Sequence, residues 1–248
     1  MEEYAHHTMK LITFGCSWTK GIGVHYTEGM SREEYEKGTK NLKELRDQLS
    51  FRIHLAERLG AENINFSTGG SSNQRQERLA TEYFNSFVDD PNNFLEDTVV
   101  LWGITSITRN ELTIDGELKN FMYGSNDDRI RYYHEHFYDE KTELQRLGNM
   151  MIHWNKFFEA HRIPNLWFQT FNTYRFPQKI DRLLPRDLLS CLTRPMINDE
   201  HYSNWLLDSK RIDEAVRKKL VNPHSLHPTK ETHVKIADML EKPLREIL

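Results

Sequence analysis

"LITFGCSWTKGIG", residues 11–23, sets a short apolar run directly before a glycine, a cysteine and a serine. The segment 10–14, KLITF, is rich in β-forming residues and is followed by Gly15, so it predicts a first strand. Ser17 would then stand on the turn from that strand into a helix. Three interpretations are open here: Ser17 is a nucleophile, Cys16 is the reactive group, or the serine only caps a helix.

The rest of the chain alternates strand-like and helix-like segments. Further strands are predicted at 62–67, at 165–172 and at 98–105, the last of which is almost wholly apolar and β-branched. Apolar residues at helical spacing predict helices at 49–60, 71–88, 140–161 and 232–248. Between them, 20–48 reads as an inserted loop with helical pieces, and Asp115-Gly116 within 111–121 reads as a hairpin turn.

This alternation predicts a parallel sheet between two layers of helices. The chain has no linker rich in proline, glycine or serine, so we expect one domain over 1–248. Residues 1–9 are expected to form a flexible extension, because the first strand begins directly after them.

Composition and charge exclude several classes of protein. A net charge of −4 argues against a protein that binds nucleic acid by bulk attraction. No apolar run reaches 18 residues, so no membrane-spanning helix is predicted. Residues 1–10 lack the apolar core of a signal peptide. Two cysteines, Cys16 and Cys191, do not form a disulfide framework. We therefore expect a cytoplasmic protein with neither nucleic acid nor membrane as a partner; its oligomeric state stays open.

Polar segments follow the first three predicted strands. They are 15–17, STGGSSN at 67–73 and GITSITRNE at 103–111, and a histidine-rich segment, NPHSLHPTKETH at 222–233, comes late in the chain. Chemistry in open α/β folds gathers at the carboxyl ends of the strands. These four segments are therefore predicted to converge on one edge of the sheet.

In this order the segments resemble the SGNH (GDSL-type) hydrolases, which are flavodoxin-like three-layer α/β/α serine esterases. Their Gly-Asp-Ser block corresponds to 15–17, with Ser17 at the nucleophile position. Their oxyanion-hole glycine corresponds to Gly70. Their Asp-x-x-His-Pro block falls on 224–228, with His227 as the general base.

Three positions depart from the family pattern. Cys16 replaces the aspartate of the first block, Thr105 stands where an asparagine donates to the oxyanion, and His224 replaces the acid before the base. Histidine cannot supply the negative charge that stabilises an imidazolium. We therefore expect a backbone carbonyl, or a side chain from another segment, to orient His227, and His224→Asp to raise turnover.

The resemblance implies hydrolysis of a small acyl ester, such as an O-acetyl group on a carbohydrate. Ser17 would be the nucleophile and His227 the base, with His224 at the orienting position. The oxyanion hole would consist of the Ser17 and Gly70 N–H groups and the Thr105 hydroxyl. No cofactor or metal is implied. Two alternatives remain: a binding or structural module whose catalytic site has decayed, and an O-acyltransferase with the same Ser–His chemistry.

Other chemistries receive less support. The spacing of His224, His227 and His233 matches no compact zinc pattern. The glycine-rich 21–23 and 68–73 could cradle a phosphate, yet neither completes a P-loop or a dinucleotide fingerprint. Several aromatic residues could line a substrate cleft or pack in the core: Trp18, Tyr26, Trp102 and those of 132–138.

Overall fold

The computed structural model describes residues 8–38, 42–88, 95, 97–122, 126–170, 174 and 209–248. The strands are β1 (Lys10–Phe14), β2 (Glu62–Asn65), β3 (Thr98–Ile104), β4 (Arg109–Ile114), β5 (Glu117–Met122) and β6 (Asn165–Gln169). The helices are α1 (Ser17–Lys20), α2 (Arg32–Gly38), α3 (Lys43–Leu49), α4 (Phe51–Leu59), α5 (Asn73–Val88), α6 (Asp128–His136), α7 (Glu140–Ala160), α8 (Ser209–Arg217) and α9 (Lys230–Ile247).

Four strands form a parallel sheet in the order β2-β1-β3-β6. Every residue of β3 is buried, because helices cover both faces of the sheet. β4 and β5 pair separately as the predicted hairpin, with Asp115 and Gly116 at its turn. The predicted three-layer α/β/α architecture is confirmed.

The two faces of the sheet bury separate clusters of apolar side chains. On one face α4 and α9 pack on the sheet through Phe51, Leu55, Ile236, Leu240 and Leu244. On the other face α5 and α7 pack through Ala80, Phe84, Leu147, Met151 and Phe158. The first cluster includes Trp18, and the second includes Trp102, which stacks on Trp167 at a centroid distance of 4.6 Å. Both tryptophans therefore pack in the core and do not line a cleft.

Polar contacts at their ends explain where two elements differ from the sequence prediction. β2 ends at Asn65, two residues early, because the Asn65 side chain accepts a hydrogen bond from the Ser67 N–H at 3.0 Å and turns the chain. α9 begins at Lys230 because the preceding Thr229 accepts a hydrogen bond from the Thr232 N–H. Pro243 lies inside α9.

Some sequence predictions fall partly or wholly outside the described residues. Of the extension 1–9, only Thr8 and Met9 are described, and Met9 packs against the α4/α9 cluster. Cys191 lies outside them, whereas Cys16 is buried and unbridged. None of the described helices is both long enough and apolar enough to cross a membrane.

Candidate active site

Ser17 is the first residue of α1, on the turn that leaves β1. It is 5% exposed, and its hydroxyl forms no hydrogen bond with another described residue. A Cβ on Gly15 would lie 2.1 Å from Oγ1 of Thr19, so only glycine lets α1 fold back this tightly over the strand end. The thiol of Cys16 belongs to the buried core.

The segment that carries His227 packs on the loop that leaves α1. The Ile22 N–H donates to the Ser17 carbonyl at 2.9 Å, which closes the short helix. A Cβ on the following Gly23 would lie 2.8 Å from Cβ of His227 and 2.7 Å from the Pro228 carbonyl oxygen. Gly23 therefore allows the two segments to meet, although they are distant in sequence.

The turn after β2 lies beside the same loop. A Cβ on Gly69 would lie 3.1 Å from Cδ1 of Ile22. Gly70 has a φ of +70°, which is the left-handed region that glycine adopts without strain. Within the described part of the chain, the N–H groups of Ser17 and Gly70 have no acceptor.

Thr105 follows β3 and is held by Asn73, the first residue of α5. The Thr105 N–H donates to Oδ1 of Asn73, and Nδ2 of Asn73 donates back to the Thr105 carbonyl, both at 3.0 Å. The Thr105 hydroxyl accepts a hydrogen bond from Nη1 of Arg109 at 3.0 Å, so its own hydrogen remains free to donate. Asn73 was not assigned a role from the sequence, although it ends the STGGSSN segment.

His227 is held by Ser225, two residues earlier in the chain. Nδ1 of His227 lies 2.9 Å from Oγ of Ser225. The same hydroxyl donates to Oδ1 of Asn222 at 3.1 Å and lies 2.6 Å from the Tyr35 hydroxyl. Oδ1 of Asn222 is fixed as an acceptor, because it also accepts the N–H groups of His224 and Ser225.

These contacts define the tautomer of His227. A serine hydroxyl has one hydrogen and two lone pairs. Since the Ser225 hydrogen goes to Asn222, its lone pairs accept the Tyr35 O–H and the Nδ1–H of His227. The proton therefore sits on Nδ1, and Nε2 is the basic nitrogen. Nε2 forms no hydrogen bond with the described residues.

The partner of His227 is Ser225, and not the residue at the position of the missing acid. His224, at the position of the missing acid, turns to the Met30 carbonyl, with Nε2 at 2.8 Å from that oxygen. Both contacts with the His227 ring come from Ser225: its hydroxyl lies 2.9 Å from Nδ1, and its backbone also forms a hydrogen bond with the ring. Among the described residues no carboxylate lies within ion-pair distance of His227. The reason is local: the turn 222–225 closes on Asn222 and presents Ser225, not residue 224, to the ring.

Burial and nearby cations keep His227 neutral. Burial, as the largest cause, and the charges of Arg109 and Arg46 together lower the pKa of its imidazole to about 4, while a hydrogen bond with the Ser225 backbone opposes the shift. A neutral ring at physiological pH is what a general base requires.

His233, the third histidine of the late segment, belongs to the core. It is fully buried in α9, where Nδ1 accepts the Phe51 N–H at 3.3 Å. Burial lowers the pKa of its imidazole to about 3. His224, His227 and His233 therefore have separate partners, and the described residues contain no cluster of three metal-binding side chains.

Comparison with known proteins identifies the fold. No protein-family model and no curated protein sequence matches the chain. Among solved structures, a family 2 carbohydrate esterase with a carbohydrate-binding domain, from Corynascus thermopiles (Myceliophthora fergusii), is similar with a TM-score of 0.51 at 14% identity. The match covers 96% of this chain and 66% of that one.

Two further structures are similar. A carbohydrate esterase whose active site is described as having divergent catalytic and non-catalytic binding functions has a TM-score of 0.50 at 11% identity, over 96% of this chain and 68% of that one. A GDSL-like lipase from Bacteroides thetaiotaomicron VPI-5482 is a weaker match, with a TM-score of 0.40 at 11% identity, over 96% and 89%. This chain thus spans about two thirds of the two carbohydrate esterases. It has the three-layer α/β/α fold of the SGNH (GDSL-type) hydrolases, with a divergent sequence.

Proposed function

We propose that this protein hydrolyses a small acyl ester, with Ser17 as the nucleophile and His227 as the general base. The observation that carries the proposal is the contact between Ser225 and Nδ1 of His227, because it leaves Nε2 as the basic nitrogen. A serine hydroxyl is a weak nucleophile until a base takes its proton. Neutral His227 is that base, and the segment that carries it packs against the loop after α1.

The reaction has two steps. In acylation, Oγ of Ser17 bonds to the acyl carbon while its proton passes to Nε2 of His227. The tetrahedral intermediate then collapses, the bond to the alcohol oxygen breaks, and the alcohol leaves with the proton from His227. In deacylation, water attacks the acyl carbon while one of its protons passes to Nε2 of His227. The bond from that carbon to Oγ of Ser17 then breaks, the carboxylic acid leaves, and Oγ takes the proton back from His227.

The oxyanion of the intermediate needs donors that are already in place. We assign this role to the N–H groups of Ser17 and Gly70 and to the Thr105 hydroxyl. None of these three hydrogens is donated to another described residue, so each donor can bind the oxyanion without giving up a hydrogen bond. The bidentate contact with Asn73 fixes the backbone of Thr105.

The orienting hydroxyl sets the expected rate. Ser225 holds the tautomer of His227 but supplies no negative charge to the imidazolium that forms during the reaction. Removing that charge from a serine protease triad costs about 10⁴ in turnover. We therefore expect slow hydrolysis. As the substrate we propose an O-acetyl group on a carbohydrate, because two similar structures, with TM-scores of 0.51 and 0.50, are carbohydrate esterases.

One observation favours a second candidate. The absence of a carboxylate beside His227 in the described residues is also what a binding module with a decayed site would have. An O-acyltransferase would use the same Ser17 and His227 chemistry, with an alcohol in place of water in the second step.

Labelling with a fluorophosphonate separates these candidates. Wild type is expected to be labelled on the peptide that contains Ser17 and to hydrolyse 4-nitrophenyl acetate and acetylated xylo-oligosaccharides, whereas Ser17→Ala does neither. The matched control is Ser86→Ala, on the exposed face of α5, which should behave as wild type. Label on Cys16 would move the nucleophile by one residue. If wild type is neither labelled nor active, the binding module with a decayed site is the remaining candidate.

A further inference from the structure

An open pocket of about 670 Å³ lies between α3, α4, the end of α1 and the edge strand β2. Its charged lining is mostly cationic: Lys20, Lys43, Arg46, Arg52 and Asp47. Polar and apolar side chains complete it: Ile53, Asn63, Asn65 and Ser67. The size is sufficient for a small-molecule ligand.

One of the four cations is neutralised inside the protein. Arg52 is 2% exposed, and its Nη2 lies 2.6 Å from Oδ1 of Asp47. Its Nη1 donates to Oδ1 of Asn63. Asp47 is thus already engaged, and Arg52 is fixed as a rigid wall of the pocket.

The other three cations, Lys20, Lys43 and Arg46, form no ion pair with the described residues. Lys20 and Arg46 are half-buried, so water and salt screen them less than they screen surface cations. A cleft lined by one sign of charge focuses its field and concentrates ions of the opposite sign.

Unused donors indicate the same chemistry. The Nε–H groups of Arg46 and Arg52 are buried and have no hydrogen-bond acceptor in the described part of the chain. Leaving such a group unpaired costs free energy that an oxyanion would recover. The pKa of Lys20 is lowered by burial first and then by the charges of Arg46, Arg75 and Arg52, so these cations act on one another at close range.

The pocket borders the candidate active site. Lys20 ends α1, one helical turn after Ser17, and Asn65 and Ser67 lead into the turn that carries Gly70. Arg46 is close enough to His227 to influence its ring.

We propose that this pocket binds a phosphate-class oxyanion carried by the ester substrate, so that the protein acts on acyl esters of phosphorylated molecules. The assignment of the anion to the substrate rests on the proposed function. Three unpaired cations match a doubly charged phosphate monoester better than a single carboxylate. The guanidinium of Arg46 supplies forked donors, and the two lysines supply point charges.

The first test measures binding and needs no activity. Inorganic phosphate is titrated calorimetrically into wild type, Arg46→Gln and Lys43→Gln in a low-salt buffer without phosphate. Each pocket variant should bind about tenfold more weakly. The matched control is Lys141→Gln, an exposed cation on α7 across the sheet, which should bind as wild type does. Arg46→Lys keeps the charge but loses the forked donors, so its affinity should lie between those of wild type and Arg46→Gln.

Two results would overturn the pocket assignment: equal phosphate binding by wild type and the pocket variants, or acetate binding as tightly as phosphate. Thermal unfolding of each variant checks that a loss of binding is not a loss of fold.

The second test places the anion on the substrate. An acetylated sugar and the same sugar bearing a phosphate monoester are compared as substrates. The phosphate should lower KM about tenfold, with kcat unchanged, and Arg46→Gln should remove that advantage. Equal KM values would contradict the substrate assignment. If phosphate binds in the first test and neither sugar is hydrolysed, the phosphate-binding assignment of the pocket is supported and the proposed hydrolase activity is contradicted.

Discussion

Oγ of Ser225 lies 2.9 Å from Nδ1 of His227, at the place where an SGNH hydrolase is expected to hold a carboxylate. The hydroxyl and the carboxylate share one property, since both accept the Nδ1–H and leave Nε2 basic. They differ in charge. In the proposed mechanism Ser225 would therefore orient the His227 ring without the charge stabilisation that an aspartate adds.

Ser225→Ala should lower kcat about tenfold with little change in KM, because the His227 ring loses the hydrogen bond that selects its tautomer. The measurement is steady-state kinetics together with ¹⁵N NMR of the imidazole, which should report a mixture of tautomers. Ser225→Thr keeps the hydroxyl and should restore both properties. A variant with wild-type kcat and an unchanged tautomer would remove Ser225 from the mechanism.

The pH profile should show a base that titrates well below an ordinary histidine. The pKa of His227 lies near 4, so the ring is neutral, and competent as a base, at all higher pH values. We expect kcat/KM to be flat from about pH 5.5 to 8 and to fall about tenfold per pH unit below 4. The profile of kcat/KM against pH tests this directly. An acidic limb centred near 6.5 would show that His227 is more solvated than described.

His224→Asp should not raise turnover, in contrast to the expectation from the sequence alone. Residue 224 faces the Met30 carbonyl, so an aspartate there would place a negative charge against an acceptor oxygen. The variant should be less stable than wild type and no faster. Thermal unfolding and kcat are the two measurements, and His224→Gln, which keeps a donor, is the control. Faster hydrolysis by the aspartate variant would mean that this loop rearranges.

Thr105→Val should test the oxyanion hole. Valine has a similar shape but no hydroxyl, so the variant loses both the oxyanion donor and the hydrogen bond between Thr105 and Nη1 of Arg109. Removing one such donor typically costs about 10²–10³ in kcat, and we expect a loss toward the lower end because two N–H donors remain. Thr105→Ser retains the hydroxyl and should keep most of the activity. Unchanged kcat in the valine variant would assign Thr105 a structural role only.

Gly103→Ala should destabilise the fold. The added Cβ would lie 2.6 Å from Cζ of Phe168 and 2.9 Å from Oγ1 of Thr19, both buried. Overpacking of this kind costs about 1–3 kcal/mol in the free energy of unfolding, which urea titration measures. In a Phe168→Leu background the same substitution should cost less, since the ring is gone. If Gly103→Ala lowers the free energy of unfolding equally in both backgrounds, the added methyl group does not clash with the Phe168 ring.

The sequence predicted the sheet well and the polar network around His227 poorly. β1 and β3 follow from local runs rich in apolar and β-branched residues, and the place of Ser17 at the end of β1 follows with them, because strand patterning is local information. Ser225 lies inside the histidine-rich segment, but its role depends on Tyr35, which local patterns do not connect to it. α6 went unpredicted, although Asp127 caps it by accepting the Arg129 N–H at 2.9 Å.

The hydrogen bond between Tyr35 and Ser225 joins residues 190 positions apart. Closing a loop of that length costs chain entropy before any contact of the candidate site is gained. The turn at Ser17 can form early, because it depends on neighbouring residues. The His227 ring can be oriented only after the segment before α9 has docked. During synthesis the chain would therefore acquire its sheet before its base is oriented. In refolding, the order of events should be the return of tryptophan burial first and of activity last.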